Sequence, residues 1–485
     1  MVLSGELRRY AAERCDGGLP HVSGKDVATS RRRRCSHHGG PDEDGGKRIP
    51  AGNVNPGGKV ALAAGSRARG RRSEAETALR VVVASGLLLV VGCAKQRGTD
   101  AARAVDSAGV RIVDLPSVST ISTRFVLSDR PVYRVGWSDG GHEFEDIVAG
   151  SLWPDGRAVV GDAGGNLEII FLSRSGVVDA VVGGPGQGPG ELRSIFGVLA
   201  LGGDTVAVQD PVNARATLFD PTGSAGTIRL TTRGSPRLLG TDSKGDLLMG
   251  PPLQFVRPML DRQRDERWVE APLVRVSAHT GEADTVSWVA WDASFSPDGT
   301  DPLMSGGFAT VTDGRFVFGR GDRPEIRWLG DQGSVVQIAR WNDEPLAVTD
   351  SMIAAWELEM RRAFERFELP STDIESRVST MKEAIGEVLP FFGMPVPEPQ
   401  YGGLIADPRG NVWIAGYVLP RVRSPRPYYV LSPKGEWVAW VEVPAGLRVL
   451  AIGDGQVLVV ERSRLDVQAV ALYQLEKPPR PSSGP

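Results

Sequence analysis

The stretch LWPDGRAVVGDAGGNLEIIFLSRSGVVDAVVG, residues 152–183, carries the pattern that decides the fold. It begins at the end of an apolar strand and continues through a turn at Gly156, a second strand and a polar loop. A third and a fourth strand then follow around a turn at Gly176. Short apolar runs bounded by turn residues are typical of β-strands, and tight turns join antiparallel neighbours. The stretch therefore predicts one antiparallel sheet of four strands.

The same unit recurs along the chain. A second clear copy is VLALGGDTVAVQDPVNARATLFDPTG, residues 198–223, and fainter copies begin near Leu238, Phe308, Leu404 and Leu450. The first-turn glycines are 47, 42, 69, 96 and 45 residues apart, and they are Gly156, Gly203, Gly245, Gly314, Gly410 and Gly455. Three intervals match the ~40–50 residues of a four-stranded propeller blade, and the two longer ones fit a blade with an insertion. The repeats therefore predict an all-β fold, a six-bladed β-propeller.

The last repeat is one strand short. After Leu475 the chain runs into KPPRPSSGP, so the repeat that begins near Leu450 has three strands. Residues 132–136, VYRVG, are followed by a polar loop, just as residues 181–183 are at the end of the first repeat. We therefore expect residues 132–136 to complete the sixth blade and to cover an edge that would otherwise pair with other chains.

The composition agrees with a β fold and divides the chain in two. Of 485 residues, 60 are Gly and 35 are Pro, which excludes a helical bundle or a coiled coil. All 11 Trp and all 14 Phe lie beyond residue 93, and Tyr10 is the one aromatic residue before it. Residues 1–79 lack the material of a core, so we predict a disordered leader that results from a start codon assigned too far upstream. For the arginine run at 31–34, the alternative interpretation is a nucleic-acid patch.

Residues 80–93 have the order of a secretory signal peptide. Arginines precede an uncharged, mostly aliphatic run at 81–91, which ends at Gly92-Cys93. Eleven helical residues span about 16 Å, too little for the ~30 Å core of a membrane. The tetrad at 90–93, VVGC, resembles the bacterial lipobox. That resemblance implies lipid attachment at Cys93 and, because Ala94 is not Asp, delivery to the outer membrane. The alternative is a buried apolar strand that ends in an ordinary cysteine.

The folded part of the chain is poor in metal-binding side chains. Beyond residue 93 the sequence has no cysteine, and its two histidines are His142 and His279. A disulfide is therefore not possible there, and a His-rich zinc or iron site is not expected. The Gly-rich loop at 183–192 lacks the Lys-Ser/Thr pair of a phosphate-binding loop. We predict no cofactor, no catalytic or metal residues and no nucleic-acid partner.

Several motifs resemble a known family. The loop GGPGQGPGEL at 183–192, the strand that ends at Asp210 and the triplet Asn213-Ala214-Arg215 look like the NHL-type repeat of six-bladed β-propellers. Through GNVWIAGY, residues 410–417, the whole of 107–476 is similar to bacterial six-bladed propeller lipoproteins. The resemblance implies the type of repeat and the architecture of the fold. It implies almost nothing about a chemical activity. We interpret the short Asp and Asn side chains as turn formers that hydrogen bond to nearby backbone.

One insertion interrupts the β pattern at 345–389. Apolar residues recur there at spacings of three or four, which predicts two amphipathic helices. We expect the helices to form a hairpin over the channel mouth, with these residues as its core rather than as cofactor contacts; they include Met352, Trp356, Met360, Phe364, Ile374 and Val378. The predicted organisation is a leader at 1–79, a signal peptide at 80–93, a linker at 94–106, the propeller at 107–476 and a disordered tail at 477–485.

Strand parity places the long loops on one face. If the strands of a blade are named A to D from the centre outward, the B–C loops and the loops from D to the next A share one face. The long loops at 251–270, 289–306, 341–402 and 417–426 are all of this kind, so we expect the binding site there. The candidate ligand-face residues are Gln187, Glu191, Asp210, Asn213, Arg215, Arg421, Arg423 and Arg426. The three arginines of the last loop could meet an anionic ligand, and the alternative is a solvated loop.

Two functional hypotheses fit these features. The first is an envelope-anchored binding or scaffold module that presents its loop-rich face to a protein, a peptide or a glycan, and touches the membrane through its lipid anchor only. The alternative is a metal-assisted enzyme that resembles propeller lactonases or lyases. Such enzymes need Glu, Asn and Asp at the channel mouth, and no such set can be aligned in this sequence. The sequence therefore predicts the binding module.

Overall fold

The computed structural model describes residues 102–136, 142–232, 236–251, 269–292, 306–365, 370–383, 403–418, 424–463 and 465–478. The predicted leader at 1–79 and the predicted signal peptide at 80–93 lie outside the described residues, as does most of the predicted tail. Four strands precede the first repeat: β1 (Arg103–Ser107), β2 (Val110–Leu115), β3 (Arg124–Leu127) and β4 (Tyr133–Gly136). A single 3-10 turn, Val118–Thr120, separates β2 from β3.

Blades 1 to 3 are antiparallel sheets of four strands in chain order. Blade 1 consists of β5 (Ile147–Leu152), β6 (Ala158–Asp162), β7 (Glu168–Leu172) and β8 (Val178–Gly183). Blade 2 consists of β9 (Gly197–Ala200), β10 (Val206–Asp210), β11 (Arg215–Asp220) and β12 (Gly223–Arg229). Blade 3 consists of β13 (Arg237–Thr241), β14 (Leu247–Gly250), β15 (Val269–Val276) and β16 (Ala283–Asp292).

Blades 4 to 6 follow the same order and recruit the N-terminal strands. Blade 4 contains β17 (Gly307–Thr312), β18 (Arg315–Arg320), β19 (Glu325–Leu329) and β20 (Val335–Trp341). Blade 5 contains β21 (Leu404–Ala406), β22 (Val412–Ala415), β23 (Arg426–Leu431) and β24 (Trp437–Val443). Blade 6 contains β25 (Leu447–Ile452), β26 (Gln456–Arg462) and β27 (Gln468–Glu476), with β4 as its fourth strand.

The innermost strand of each blade, strand A, belongs to one ring. The six A strands are β5, β9, β13, β17, β21 and β25. Each lies against the next, and β25 lies against β5, so the ring is closed. All six first-turn glycines have a positive φ, between 68° and 89°, as a tight turn of this kind requires. The predicted six-bladed β-propeller is confirmed.

The hydrophobic core lies between the blades. Strands β6 and β10 are buried along their whole length, because each packs on a neighbouring blade with both faces. One cluster joins Val135 of β4, Ile147 of β5 and Leu458 of β26, and so connects blade 6 to blade 1. This arrangement explains the nearly continuous aliphatic runs that the sequence shows at these strands.

The predicted closing strand is confirmed. Strand β4 pairs antiparallel with β27, with Tyr133 opposite Leu472 and Gly136 opposite Ala469. The guanidinium group of Arg134 in β4 donates two hydrogen bonds, of 2.7 and 3.1 Å, to the Glu461 carboxylate in β26. Glu461 is 4% exposed, so these hydrogen bonds take the place of the water that its carboxylate loses on burial. Strands near the two ends of the propeller sequence are thus joined by a sheet and by an ion pair whose carboxylate is buried.

A tyrosine completes this buried cluster. The hydroxyl of Tyr473 donates a 2.5 Å hydrogen bond to the Glu461 carboxylate. Burial, followed by that hydrogen bond, raises the pKa of Tyr473 to about 12. The phenol therefore keeps its proton at neutral pH and remains a donor to Glu461.

The N-terminal segment also pairs with blades 4 and 5, which the sequence did not predict. Strand β2 pairs parallel with β20 of blade 4, and β1 pairs with β2. Strand β3 pairs parallel with β24 of blade 5 and antiparallel with β27 of blade 6. We call residues 103–136 the strap. Because β1 begins at Arg103, the last four residues of the predicted linker at 94–106 belong to a strand.

The predicted helical hairpin is present. Helix α1 spans Asp350–Glu365 and helix α2 spans Ser371–Glu383. Their shared core contains Trp356, Met360, Phe364, Ile374 and Val378, and Tyr417 of the loop after β22 packs against it. The apolar spacing seen in the sequence is therefore that of a core. The position of the hairpin over the channel mouth stays a prediction.

Close contacts between blades depend on glycines in the C–D turns. A Cβ atom on Gly333, in the turn between β19 and β20, would stand 1.9 Å from the carbonyl oxygen of Val286 in β16. A Cβ atom on Gly176 would likewise stand 2.6 Å from the nearest side-chain carbon of Tyr133 in β4. Both residues also have a positive φ. The outer strand of one blade is thus covered by the turn of the next, which leaves no room for a side chain.

We expect Gly333→Ala to destabilise the propeller far more than Gly203→Ala. Both positions have a positive φ, which costs alanine about 1–2 kcal/mol, but Gly203 has no atom within 4 Å of its missing Cβ. Thermal unfolding should therefore show a small loss for Gly203→Ala and a loss at least twice as large for Gly333→Ala. Equal losses would show that the contact between blades 3 and 4 does not constrain the fold.

Candidate functional site

The two ends of the propeller differ in the length of their connections. Every A–B and C–D turn between described strands has two to six residues. The long connections, at 251–268, 293–306, 342–403 and 416–425, are all B–C or D–A loops. The C-terminal ends of all six A strands line one cavity, so these strands run in the same direction around the channel. One end of the propeller is therefore a loop-rich face, and the other is a turn face.

The D–A loop between blades 1 and 2, residues 184–196, contains two of the candidate residues. The carboxylate of Glu191 accepts a 2.7 Å hydrogen bond from the Gly188 N–H. Gln187 is exposed, and its backbone carbonyl accepts a hydrogen bond from Arg215. The loop is thus held in part by the Glu191 side chain, and Gln187 is exposed on its surface.

The same loop is held in place by three residues of blade 2, Asp210, Asn213 and Arg215. The Asp210 carboxylate accepts from the Arg193 N–H at 2.9 Å and from the Ser194 hydroxyl at 2.8 Å. Asn213 donates to Asp210 and to the Gly186 carbonyl. Arg215 donates to three loop carbonyls, those of Gln187, Gly188 and Glu191, at 2.6–3.1 Å. The structure therefore brings five of the candidates together around one loop, and a contact of these residues with a ligand stays a prediction.

Blade 1 has the same arrangement of hydrogen bonds at Asp162, which was not among the candidate residues. Asp162 ends β6 as Asp210 ends β10, and its carboxylate accepts from the backbone N–H groups of Glu145, Asp146 and Gly164 at 2.7–3.0 Å. Glu461 occupies the same repeat position in blade 6, where it binds Arg134 instead. The signal was available in the sequence, because Asp162 and Glu461 both stand six residues after their turn glycines.

The basic loop of blade 5 is described only at its end. Arg426 begins β23 and is half-buried, whereas Arg421 and Arg423 lie outside the described residues. On the same face, His142 Nε2 lies 3.4 Å from a carboxylate oxygen of Glu168, and its ring packs edge-on against Phe144. The described part of the loop-rich face thus combines an ordered loop with a small polar cluster at blade 1.

A cavity of about 460 Å³ occupies the channel at the turn face. Its wall is formed by the second halves of the A strands and by the A–B turns that follow them, including Trp153, Thr241, Asp313 and Asp407. Each A strand pairs with its B strand on one side only, so the other edge is directed toward the channel. The cavity therefore lies at the end of the channel opposite to the predicted loop-rich face.

Some buried polar groups of the cavity wall have no partner in the protein. The hydroxyl of Thr312 and the indole N–H of Trp153 form no hydrogen bond with the residues that the structure describes. Thr312 is only 6% exposed and Trp153 only 7%. The Thr312 oxygen and a carboxylate oxygen of Asp313 lie 3.2 and 2.9 Å from the place where a Cβ atom would stand on Gly410. Pro433 Cγ lies 3.1 Å from the same point, so Gly410 is packed tightly between the A–B turn of blade 4 and the C–D turn of its own blade.

Ion pairs bridge neighbouring turns at the rim of this cavity. Arg157 of blade 1 binds Asp204 of blade 2 at 2.5 Å, and Arg409 of blade 5 binds Asp454 of blade 6. Desolvation raises the pKa of Asp155, but the hydrogen bonds from Arg174 and Arg157 outweigh it and lower that pKa to about 2. Asp155 is therefore ionised at neutral pH, and arginines pair with the carboxylates of this rim.

Metal ligands do not cluster in the described ranges, where no group of three or more His, Cys, Asp or Glu side chains is arranged to hold a metal ion. Neither of the two described helices is long and apolar enough to cross a membrane.

Comparison with known proteins finds similarity at the level of structure. No family profile and no curated protein matches the sequence. A member of the DUF4221 family from Bacteroides vulgatus is similar with a TM-score of 0.44 and 9% identity over 72% of this chain and 99% of its own. A streptogramin B lyase has a TM-score of 0.34 and 11% identity, over 71% of this chain and 87% of its own. The calcium-binding protein regucalcin from Agrobacterium tumefaciens has a TM-score of 0.34 and 13% identity, over 73% of this chain and 97% of its own.

The class of the protein follows from its own sheets. Six four-stranded blades around a closed ring of A strands define a six-bladed β-propeller, and the strap that completes the sixth blade distinguishes this one. At identities of 9–13%, the similar structures transfer no activity to this chain.

Proposed function

We propose that the protein is an envelope-anchored β-propeller that binds a protein, a peptide or a glycan through its loop-rich face. The observation that carries this proposal is the distribution of the connections: the four long ones begin and end at strand ends on this face, and the described turns of the other face have two to six residues. Binding residues concentrate on loops that a rigid scaffold holds in place. The ring of blades is such a scaffold.

The order of the loop between blades 1 and 2 supports this role. Asp210, Asn213 and Arg215 fix the loop at 184–196 with direct hydrogen bonds, so its backbone is organised before any partner arrives. Preorganised loops bind with a smaller loss of conformational entropy. The NHL-type resemblance is part of the proposal, since its Asp and Asn-x-Arg residues are the ones that fix the loop.

The helical hairpin adds a second element to the same face. Its insertion point lies between β20 and β21, and its core packs against Tyr417, which follows β22. Leu358 of α1 is 50% exposed and Leu346, just before the hairpin, is 68% exposed. We include both leucines in the proposed contact surface.

The proposed anchor is a lipid on Cys93, at the end of the signal-like segment. Ten residues lead from Cys93 to Arg103 at the start of the strap, which corresponds to at most about 36 Å of extended chain. An acylated Cys93 would therefore hold the propeller close to a membrane, and the lipobox resemblance with Ala94 favours the outer membrane.

For the anchor, we expect Cys93→Ser to move the protein from the membrane fraction to the water-soluble fraction. Mass spectrometry of the wild-type protein should find an acylated Cys93 as the first residue and no peptides from residues 1–70, because processing or a later start removes them. A wild-type chain that is water-soluble and retains the arginines at 31–34 would contradict both the anchor and the start-site proposal.

For the binding face, we expect partner capture to be lost when residues 345–389 are replaced by a short Gly/Ser linker. Strands β20 and β21 belong to neighbouring blades and need only a short connection, so the propeller should stay folded and monomeric. The measurement is affinity capture from envelope extracts, compared with the wild type.

Point substitutions separate binding from folding in this experiment. Leu358→Glu changes an exposed residue of α1 and should weaken capture without a change in melting temperature, whereas Trp288→Ser, at an exposed residue of the outer strand β16, should leave capture unchanged. Capture of the same partners by the linker variant and by Leu358→Glu would refute the assignment of the face.

A further inference from the structure

The loop-rich face has an exposed apolar pair, Phe196 and Val212, at the junction of blades 1 and 2, with arginines beside it. We propose that this apolar pair is the anchor of the face, and that it binds an extended protein segment in which an apolar side chain lies near acidic ones. This inference rests on the proposed function, because it names the contact site and the kind of partner for the same face.

The apolar pair is unusually exposed for its position in an ordered loop. Phe196 is 51% exposed and Val212 is 52% exposed. Among the residues that the structure describes, the exposed aromatic side chains are those of Phe196 and Trp288, and Trp288 belongs to the outer strand β16. Aromatic residues and arginines are enriched in protein interfaces. Phe196 is therefore the described aromatic residue that a partner of the loop-rich face can cover.

Hydrogen bonds hold the backbone of the apolar pair in place. The Phe196 N–H donates a 3.0 Å hydrogen bond to the Gln209 carbonyl, and the Val212 N–H donates one of 3.3 Å to the Ser194 hydroxyl. The same hydroxyl donates to the Asp210 carboxylate at 2.8 Å. The two apolar residues thus lie on neighbouring, ordered segments, so little conformational entropy is lost when a partner covers them.

Three arginines lie beside the apolar pair, and none of them forms an ion pair with a residue that the structure describes. Arg193 is exposed, three positions before Phe196, and Arg229 is exposed at the end of β12. Arg215 lies directly opposite Arg229 in the sheet and donates to backbone carbonyls. Like charges directly opposite each other on antiparallel strands repel. Acidic side chains of a partner would relieve this repulsion.

The nearby carboxylates leave this positive charge in place. Asp210 is fully buried, and Glu191 accepts a hydrogen bond from the Gly188 N–H. The loop before blade 1 has the opposite charge, since Glu143, Glu145 and Asp146 are exposed there. The face is thus basic at blade 2 and acidic at blade 1, which directs the acidic end of a bound segment toward blade 2.

The spacing of the strands fits an extended segment. Phe196 precedes strand A of blade 2 and Arg229 ends strand D, so three strand spacings of ~4.8 Å, about 14 Å in all, separate them. Four residues of extended chain span about 13 Å, and every second side chain lies on the same side. An apolar residue with acidic residues two and four positions away therefore matches the apolar pair and the arginines together.

Selection of a phage-displayed library of random heptapeptides on the full chain tests the proposal. The selected peptides should share a large apolar residue with Asp or Glu two or four positions away. Fluorescence anisotropy then measures binding of a synthetic peptide of that consensus, which Phe196→Ser and Arg193→Glu should each weaken about tenfold or more. A peptide in which one acidic residue is replaced by Lys should prefer the Arg193→Glu variant to the wild type.

Two matched controls remove the same kinds of side chain elsewhere. Val177→Ser changes a residue of the turn face that is 60% exposed, and Arg103→Glu changes an exposed arginine of β1. Both should leave peptide binding unchanged. All four variants change exposed side chains, so their melting temperatures should stay close to that of the wild type.

The opposite results are equally specific. The inference would be overturned by a selection without a consensus, by a consensus without acidic residues, or by full-strength binding to Phe196→Ser or to Arg193→Glu. Peptides that lose binding when residues 345–389 are replaced, but keep it with Phe196→Ser, would leave the proposed binding face intact and refute this anchor. Peptides that are indifferent to both changes would contradict the face itself.

Discussion

The pairing of β4 with β27 completes blade 6 at the point where the ring closes on blade 1. Each blade buries its apolar faces against two neighbours, and a core cluster that includes Tyr133 and Val135 of β4 connects blade 6 to blade 1. The ion pair between Arg134 and Glu461 adds to this closure, since opening would leave the buried Glu461 carboxylate without its charged partner. The strap continues this closure around blades 4 and 5. The loop-rich face and the channel cavity both require the ring that results.

A closed ring separates two working surfaces. The B–C and D–A loops can lengthen without disturbing the strands, so insertions such as the α1–α2 hairpin accumulate on one face. The turn face has no such freedom, because its C–D turns pack on the outer strands of neighbouring blades, as Gly333 does on β16. Its cavity is instead built from strand edges and short turns. The loop-rich face and the channel cavity are therefore built from different parts of the same scaffold.

Local patterns in the sequence predicted most of the architecture. The six turn glycines need a positive φ, and the closing strand shares the pattern of the last strand of blade 1, so both could be read without a structure. Strands β1 to β3 could not be predicted as parts of blades, because they pair at outer edges and β1 is exposed throughout. The candidates Asp210 and Arg215 were recognised as residues, but their target loop depends on contacts between blades.

The cavity could not be predicted from the sequence, because its wall is formed by residues of different blades. Thr312 and Gly410, for example, are 98 positions apart and are neighbours only where blades 4 and 5 pack together. Both surfaces depend on the closure of the ring. This closure is tested most directly by the melting temperatures of chains that begin at residues 102, 129 and 137. We expect the chain that begins at 129 to melt below the chain that begins at 102, because it lacks the buried Val113, Leu115 and Leu127 of β2 and β3. The comparison that isolates β4 is between the chains that begin at 129 and at 137. The third should fall by at least about 5 °C and associate through its open edge, because β4 and Arg134 are gone. Equal melting temperatures for the chains that begin at 129 and 137 would contradict closure by β4.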